Sequence, residues 1–130
     1  MTLNSLILIL LSVALGTGAQ TLLKYAMTSS TVQAALLQPD LGARLLGVFF
    51  NPFVILGLAL YAAGAVVWLF VLAKTPLSTA FPFTALAIVI SILAGATIFH
   101  EQIDIFKIVA IILIATGILV LSVSQLKFSV

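Results

Sequence analysis

Few residues in this sequence can do polar chemistry, and most of those that can lie inside long apolar runs. Ser12, Gly16, Gln20 and Lys24 recur at every fourth position. On an α-helix they share one side, small residues first and then an amide and an ammonium. Such a stripe suits the lining of a hydrophilic groove in which Lys24 offers its charge to an anionic head group. The structural alternative is a Gln20 bonded to a neighbouring helix and a Lys24 that snorkels to the interface. A second set, Gly57, Tyr61, Gly64, Ala65 and Trp68, follows the helical spacing i, i+4, i+7, i+8, i+11. Its glycines fit close helix packing. Tyr61 sits in mid-run, away from the interfacial belt where Trp68, nearer the end, could reside. In a third set, Pro82 stands beside Thr79, Phe81 and Thr84, and a proline inside a helix frees a backbone carbonyl and bends the chain.

The missing chemistry is as informative. The only carboxylates are Asp40, Glu101 and Asp104, all in loops or at helix ends. No acidic side chain is therefore placed deep in an apolar run, where proton-for-cation exchange would need one. With one histidine, His100, and no cysteine, a disulfide framework, a thiol nucleophile and a zinc site of ordinary ligand count are excluded. No nucleophile and base are spaced for catalysis. An enzyme is not expected, nor is a cofactor or a metal.

The elements that must position these residues follow from composition. The 130 residues are 64% hydrophobic and 6% charged, with a net charge of +2 and a mean hydropathy of +1.42. A soluble domain carries roughly 25% charged residues, and five scattered basic side chains make no nucleic-acid footprint. Four apolar runs reach the roughly 20 residues that cross a bilayer: residues 3–23, 53–72, 77–99 and 105–126. The expectation is one all-α, four-helix transmembrane domain over residues 1–130. The first run has no Lys or Arg before Leu23 to form a charged leader, so it is expected to be retained. Asn51-Pro52 and Thr75-Pro76 each place a capping side chain before a proline at the first helical position, and Asp104 suits the start of the last helix. Short links make consecutive helices antiparallel neighbours.

The longer link, residues 28–50, begins rich in Ser and Thr. It then places Leu41, Leu45, Val48 and Phe49 on one helical face, with Arg44 displaced from it. An amphipathic segment over about 40–50, starting at Pro39-Asp40, is too short to span and belongs in the headgroup layer. Lys74 and Lys127 lie on the side of the termini, against Lys24, Arg44 and Lys107 on the other. That is almost no bias under the positive-inside rule, so an antiparallel homodimer is permitted, as is a heterodimer with a similar subunit. In the last run Ala110, Gly117 and Ser124 recur every seven residues and read as a dimer seam.

The order of these segments resembles the drug/metabolite transporter superfamily, in its four-helix EamA-like and small multidrug resistance branches. The resemblance rests on Ala19-Gln20-Thr21-Leu22-Leu23-Lys24, on Gly57-Leu58-Ala59-Leu60 leading to Val67-Trp68-Leu69, on Pro76-Leu77-Ser78-Thr79-Ala80-Phe81-Pro82, and on Phe99-His100-Glu101. Within the superfamily it is most similar to flippase subunits that move aminoarabinose linked to undecaprenyl phosphate. Alignment with the multidrug branch puts Gly16 where those proteins carry a glutamate for protons and cationic drugs, Thr84 where they carry a tryptophan, and Phe81 at a substrate-lining tyrosine. The resemblance thus implies a transporter of the bacterial inner membrane that moves a lipid-linked or amphipathic anionic metabolite. The expected pathway is Ser12, Gly16, Gln20, Lys24, Tyr61, Trp68, Phe81, Pro82, Thr84 and Glu101, with Lys24 and Arg44 drawing the phosphate. Two other expectations remain: efflux of small cations, and a non-transporting accessory subunit.

Overall fold

The computed structural model describes residues 3–127, and every regular element among them is helical. Helix α1 (Leu3–Thr28) leads through a short α2 (Ser30–Leu36) and α3 (Leu41–Phe49) to α4 (Pro52–Lys74). The next run is broken into α5 (Leu77–Ala80), a 3-10 stretch (Phe81–Ala85) and α6 (Leu86–Ile98), and α7 (Ile105–Lys127) closes the chain. Three segments are long and apolar enough to cross a membrane: Leu3–Thr28, Pro52–Lys74 and Leu77–Ile98. The described apolar stretch of α7, Ile105–Leu121, is shorter. The protein is an integral membrane protein.

Helices start where the sequence offers caps. The Asn51 side chain accepts from the Phe53 N–H at 3.0 Å, and Asp104 accepts from the Lys107 N–H at 2.8 Å, each satisfying a donor that the first turn leaves orphaned. Thr75 departs from expectation. It is not a cap: Pro76 holds the extended position before α5, and the buried Thr75 hydroxyl has no hydrogen-bond partner among the described residues.

In lipid, burial of apolar surface does not drive helices together, so contact depends on close packing and interhelical hydrogen bonds. The most extensive contact is α1 against α4. A Cβ built at Gly64 would stand 3.2 Å from Leu15 Cβ and 3.3 Å from the Gly16 nitrogen, and one at Gly57 would stand 2.7 Å from Leu23 Cγ. A side chain at either position would have to push its neighbour back. The Ser12 hydroxyl donates to the Gly64 carbonyl at 3.0 Å across this seam, and the Tyr25 and Phe53 rings meet edge to face at 5.6 Å at its far end. A small core of Ile9, Val13, Val71, Ala80 and Phe83 joins α1, α4 and the third segment near the start of α1.

The link after α1 is a helical hairpin rather than a loop followed by one helix. Ser29 caps α2 by accepting from the Val32 N–H, and Asp40 caps α3 by accepting from the Ala43 N–H at 2.9 Å. The two short helices touch where Gly47 meets Ala35. No residue of α3 is buried, and Leu41, Leu45, Leu46 and Phe49 are exposed.

Candidate functional site

Beside the glycine seam, with Gly64 itself in the wall, α1 borders a groove of about 340 Å³. From α1 it is lined by Ser12, Gly16, Thr17 and Gln20, from α4 by Tyr61, Ala65 and Trp68, and from the third segment by Phe81, Thr84 and Ala87. Seven residues expected on a pathway, Ser12, Gly16, Gln20, Tyr61, Trp68, Phe81 and Thr84, thus border one hollow. A Cβ built at Gly16 meets nothing within 4 Å, so its missing side chain is groove space. Pro82 is half-buried and acts on the backbone. The chain from Phe81 to Ala85 tightens to 3-10 geometry, and the Thr84 hydroxyl donates to the Phe81 carbonyl at 2.6 Å.

A second hollow of about 430 Å³ shares Gln20 and Ala87 with the first and continues toward the link after α6. Its walls include Ser91, Glu101, Gln102 and Lys107. Among the described residues none hydrogen-bonds the Gln20 amide, which faces both hollows. Glu101 is held by a local turn. His100 adopts a left-handed conformation (φ 53°), uncommon for a residue other than glycine, and the Glu101 N–H then folds back to the Gly95 carbonyl at 3.0 Å. Its carboxylate rests over Gly95, where a built Cβ would stand 2.7 Å from Oε2, and forms an ion pair with Lys24. The Lys24 ammonium also lies 4.8 Å from the centre of the Phe99 ring, within cation–π range.

Sequence reasoning missed Lys107, Gln102 and Ser91, because the left-handed turn at His100 decides which way the link folds and no spacing rule reveals it. Lys107 Nζ donates to the Gln102 carbonyl at 3.0 Å. Arg44, expected to help draw a phosphate, instead donates from Nε to the Gln38 carbonyl within the hairpin and borders neither hollow. Of the expected dimer seam, Ala110 and Ser124 are half-buried and Gly117 is exposed, with open space where a Cβ would stand. The inward face of α7 is carried by Ile118 against the core.

Comparison with known proteins bears on this arrangement. The model of the EamA-like transporter family matches residues 38–123, more than half of the chain. The chain belongs to that family. The match takes in both groove walls that face α1. A stretch of 55 residues is 31% identical to a protein of Aeromonas salmonicida (strain A449) described as probable 4-amino-4-deoxy-L-arabinose-phosphoundecaprenol flippase subunit ArnE, covering 42% of this chain. The match spans about half of that relative's length, 48%. No solved structure matches the chain.

Proposed function

We propose that this protein is a four-span transporter of the bacterial inner membrane that flips or exports a lipid-linked or otherwise amphipathic anionic metabolite, of the polyprenyl-phosphate sugar kind. One observation carries the reading: the polar residues of α1 border two adjoining hollows that share Gln20 and Ala87, the first beside Ser12 and Tyr61 and the second beside Glu101 and Lys107. A groove of this kind shelters a head group while the tail stays in the bilayer. The Gln20 amide, without a partner among the described residues, and the Lys24 ammonium, which lines neither hollow but pairs with Glu101 in the wall of the second, supply donors for phosphate and sugar oxygens. The family supports transport, and the description of the flippase-subunit relative supports this cargo class.

In this proposal α7 is the fourth span. Its 23 residues reach about 35 Å at 1.5 Å per residue. A second subunit, either another copy in parallel or antiparallel orientation or a similar chain, packs on the Ala110, Gly117 and Ser124 side and closes the groove. The test is reconstitution of the purified chain in liposomes with a fluorescent polyprenyl-phosphate sugar, followed by the loss of fluorophore to an external quencher. Exchange between leaflets is expected to exceed that of empty liposomes, and to fall roughly tenfold in Gln20→Ala and in Lys24→Ala, the scale set by losing a hydrogen bond to a charged group. Exchange untouched by both substitutions would contradict the reading.

A further inference from the structure

The second hollow carries a cation that no acidic side chain answers. The charged members of its wall are Glu101 and Lys107. Glu101 is already paired with Lys24, which itself borders neither hollow. Both side chains of that pair are nearly half exposed, so it adds little stability. Its consequence is for the sign of the hollow: with Glu101 compensated from outside the wall, the charge left inside is that of Lys107. Lys107 Nζ donates to the Gln102 carbonyl at 3.0 Å, and among the described residues it forms no ion pair. Asp104 accepts from the Lys107 backbone N–H at 2.8 Å and stands outside the wall. Helix stability does not explain a lysine here, because the first turn of α7 (Ile105–Lys127) lies at the end of the macrodipole that disfavours a cation and favours an anion. The neutral polar members of the wall are unanswered as well. The Gln20 and Gln102 amides and the Ser91 hydroxyl hydrogen-bond nothing among the described residues, although Gln20 and Ser91 belong to segments that cross the membrane, where an unpaired polar group is costly. Three neutral donors and an ammonium around one hollow of about 430 Å³ complement an oxyanion, which only accepts.

Building on the transport reading above, we infer that Lys107 is the anion-binding residue of the second hollow, with Gln20, Ser91 and Gln102 as its neutral donors, and that Lys24 acts through Glu101 rather than on the cargo. This moves the anion's seat from Lys24 to Lys107. Lys24 is then a positioning residue: it holds the Glu101 carboxylate compensated where it rests over Gly95. Without Lys24, a free carboxylate stands in the same wall as Lys107 and opposes an arriving oxyanion. Without Lys107, the seat itself is gone. The two lysines fail in different ways, and removing the Glu101 charge repairs the first failure alone.

The full chain in an uncharged detergent is titrated calorimetrically with octyl phosphate and with octyl glucoside, which share a tail and differ in charge. The wild type is expected to prefer octyl phosphate. Lys107→Gln should weaken octyl phosphate about tenfold and leave octyl glucoside unchanged. Its melting temperature should not fall, since the substitution takes a cation out of the first turn of a helix. Lys24→Ala should also weaken octyl phosphate, and combining it with Glu101→Gln should restore the wild-type affinity. A Lys107→Gln protein that binds octyl phosphate as the wild type does would overturn the inference and leave the transport groove standing. So would an unimpaired Lys24→Ala protein, or a double variant as weak as Lys24→Ala alone. Equal binding of both probes to the wild type would remove the anion-transporting reading and the inference with it.

Discussion

Helix α1 has two seams, and they are built from the same kinds of residue to opposite ends. Toward α4 the seam is closed: Gly57 and Gly64 bring the backbones so near that no Cβ fits without displacement, and the Ser12 hydroxyl spans the contact. Along its edge, between α4 and the third segment, the packing is open: Gly16, whose backbone nitrogen joins the Gly64 contact, has free space where its side chain would stand, and Gln20 lines two hollows without a partner among the described residues. A glycine or a small hydroxyl in a membrane helix therefore carries no function by its type. What decides is whether a neighbour occupies the place where its side chain would be. The broken segment sharpens the contrast, because a 3-10 stretch beside a proline cannot lie as flush against α1 as the unbroken α4 does.

The largest expected effect lies in the closed seam. Gly64→Val should force α1 and α4 apart and cost about 1–3 kcal/mol, as overpacking does, seen as a lower melting temperature of the detergent-solubilised protein. If stability were unchanged, the seam would not be tight and the contrast would collapse. Ser12 belongs to both seams, as a groove wall and as a cross-link. Ser12→Ala should cost about 0.6 kcal/mol, the typical worth of a hydrogen bond between membrane helices, measured in the same melts. The smallest effect belongs to the open seam: Gly16→Ala should shift stability by no more than about 0.5 kcal/mol. Gly16→Leu should fill the groove and slow transport in liposomes while the melting temperature holds.

Much of this contrast was legible in the sequence. Asn51-Pro52 and Asp104 announced helix starts, because a cap is a local device that needs no tertiary partner. Apolar length placed the long helices, although α1 continues to Thr28 and α4 to Lys74, past the last strongly apolar residues. Residues 30–36 did not read as a helix, since Ser competes locally with the backbone and β-branched Thr and Val lose side-chain freedom in a helix. They are helical because Ser29 caps them, Gln33 Nε2 donates to the Met27 carbonyl at 2.6 Å and Ala35 meets Gly47.

The stripe Ser12, Gly16, Gln20, Lys24 was read as one face, and the structure shows why it serves two. Four residues turn a helix by about 40° beyond a full circle, so three such steps rotate the direction by about 120°. Ser12 thus points at Gly64, while Lys24 points at the link that carries Glu101. The groove residues themselves were legible from their spacing. The pairing at the groove's end was not, because it depends on the left-handed turn at His100, which sits on no regular element.

The chain contains no cysteine, so single thiols can be introduced without interference, and their reaction with a water-soluble maleimide tests the open seam most directly. Thiolate forms where water reaches and is suppressed in hydrocarbon. Gly16→Cys, in the groove wall, should be labelled rapidly in membranes, and Leu69→Cys, on the outward face of α4 where Leu69 is 64% exposed, should resist. Equal labelling at the two positions, or a Gly16→Cys thiol as inert as the lipid-facing one, would mean that no hydrated groove runs along α1.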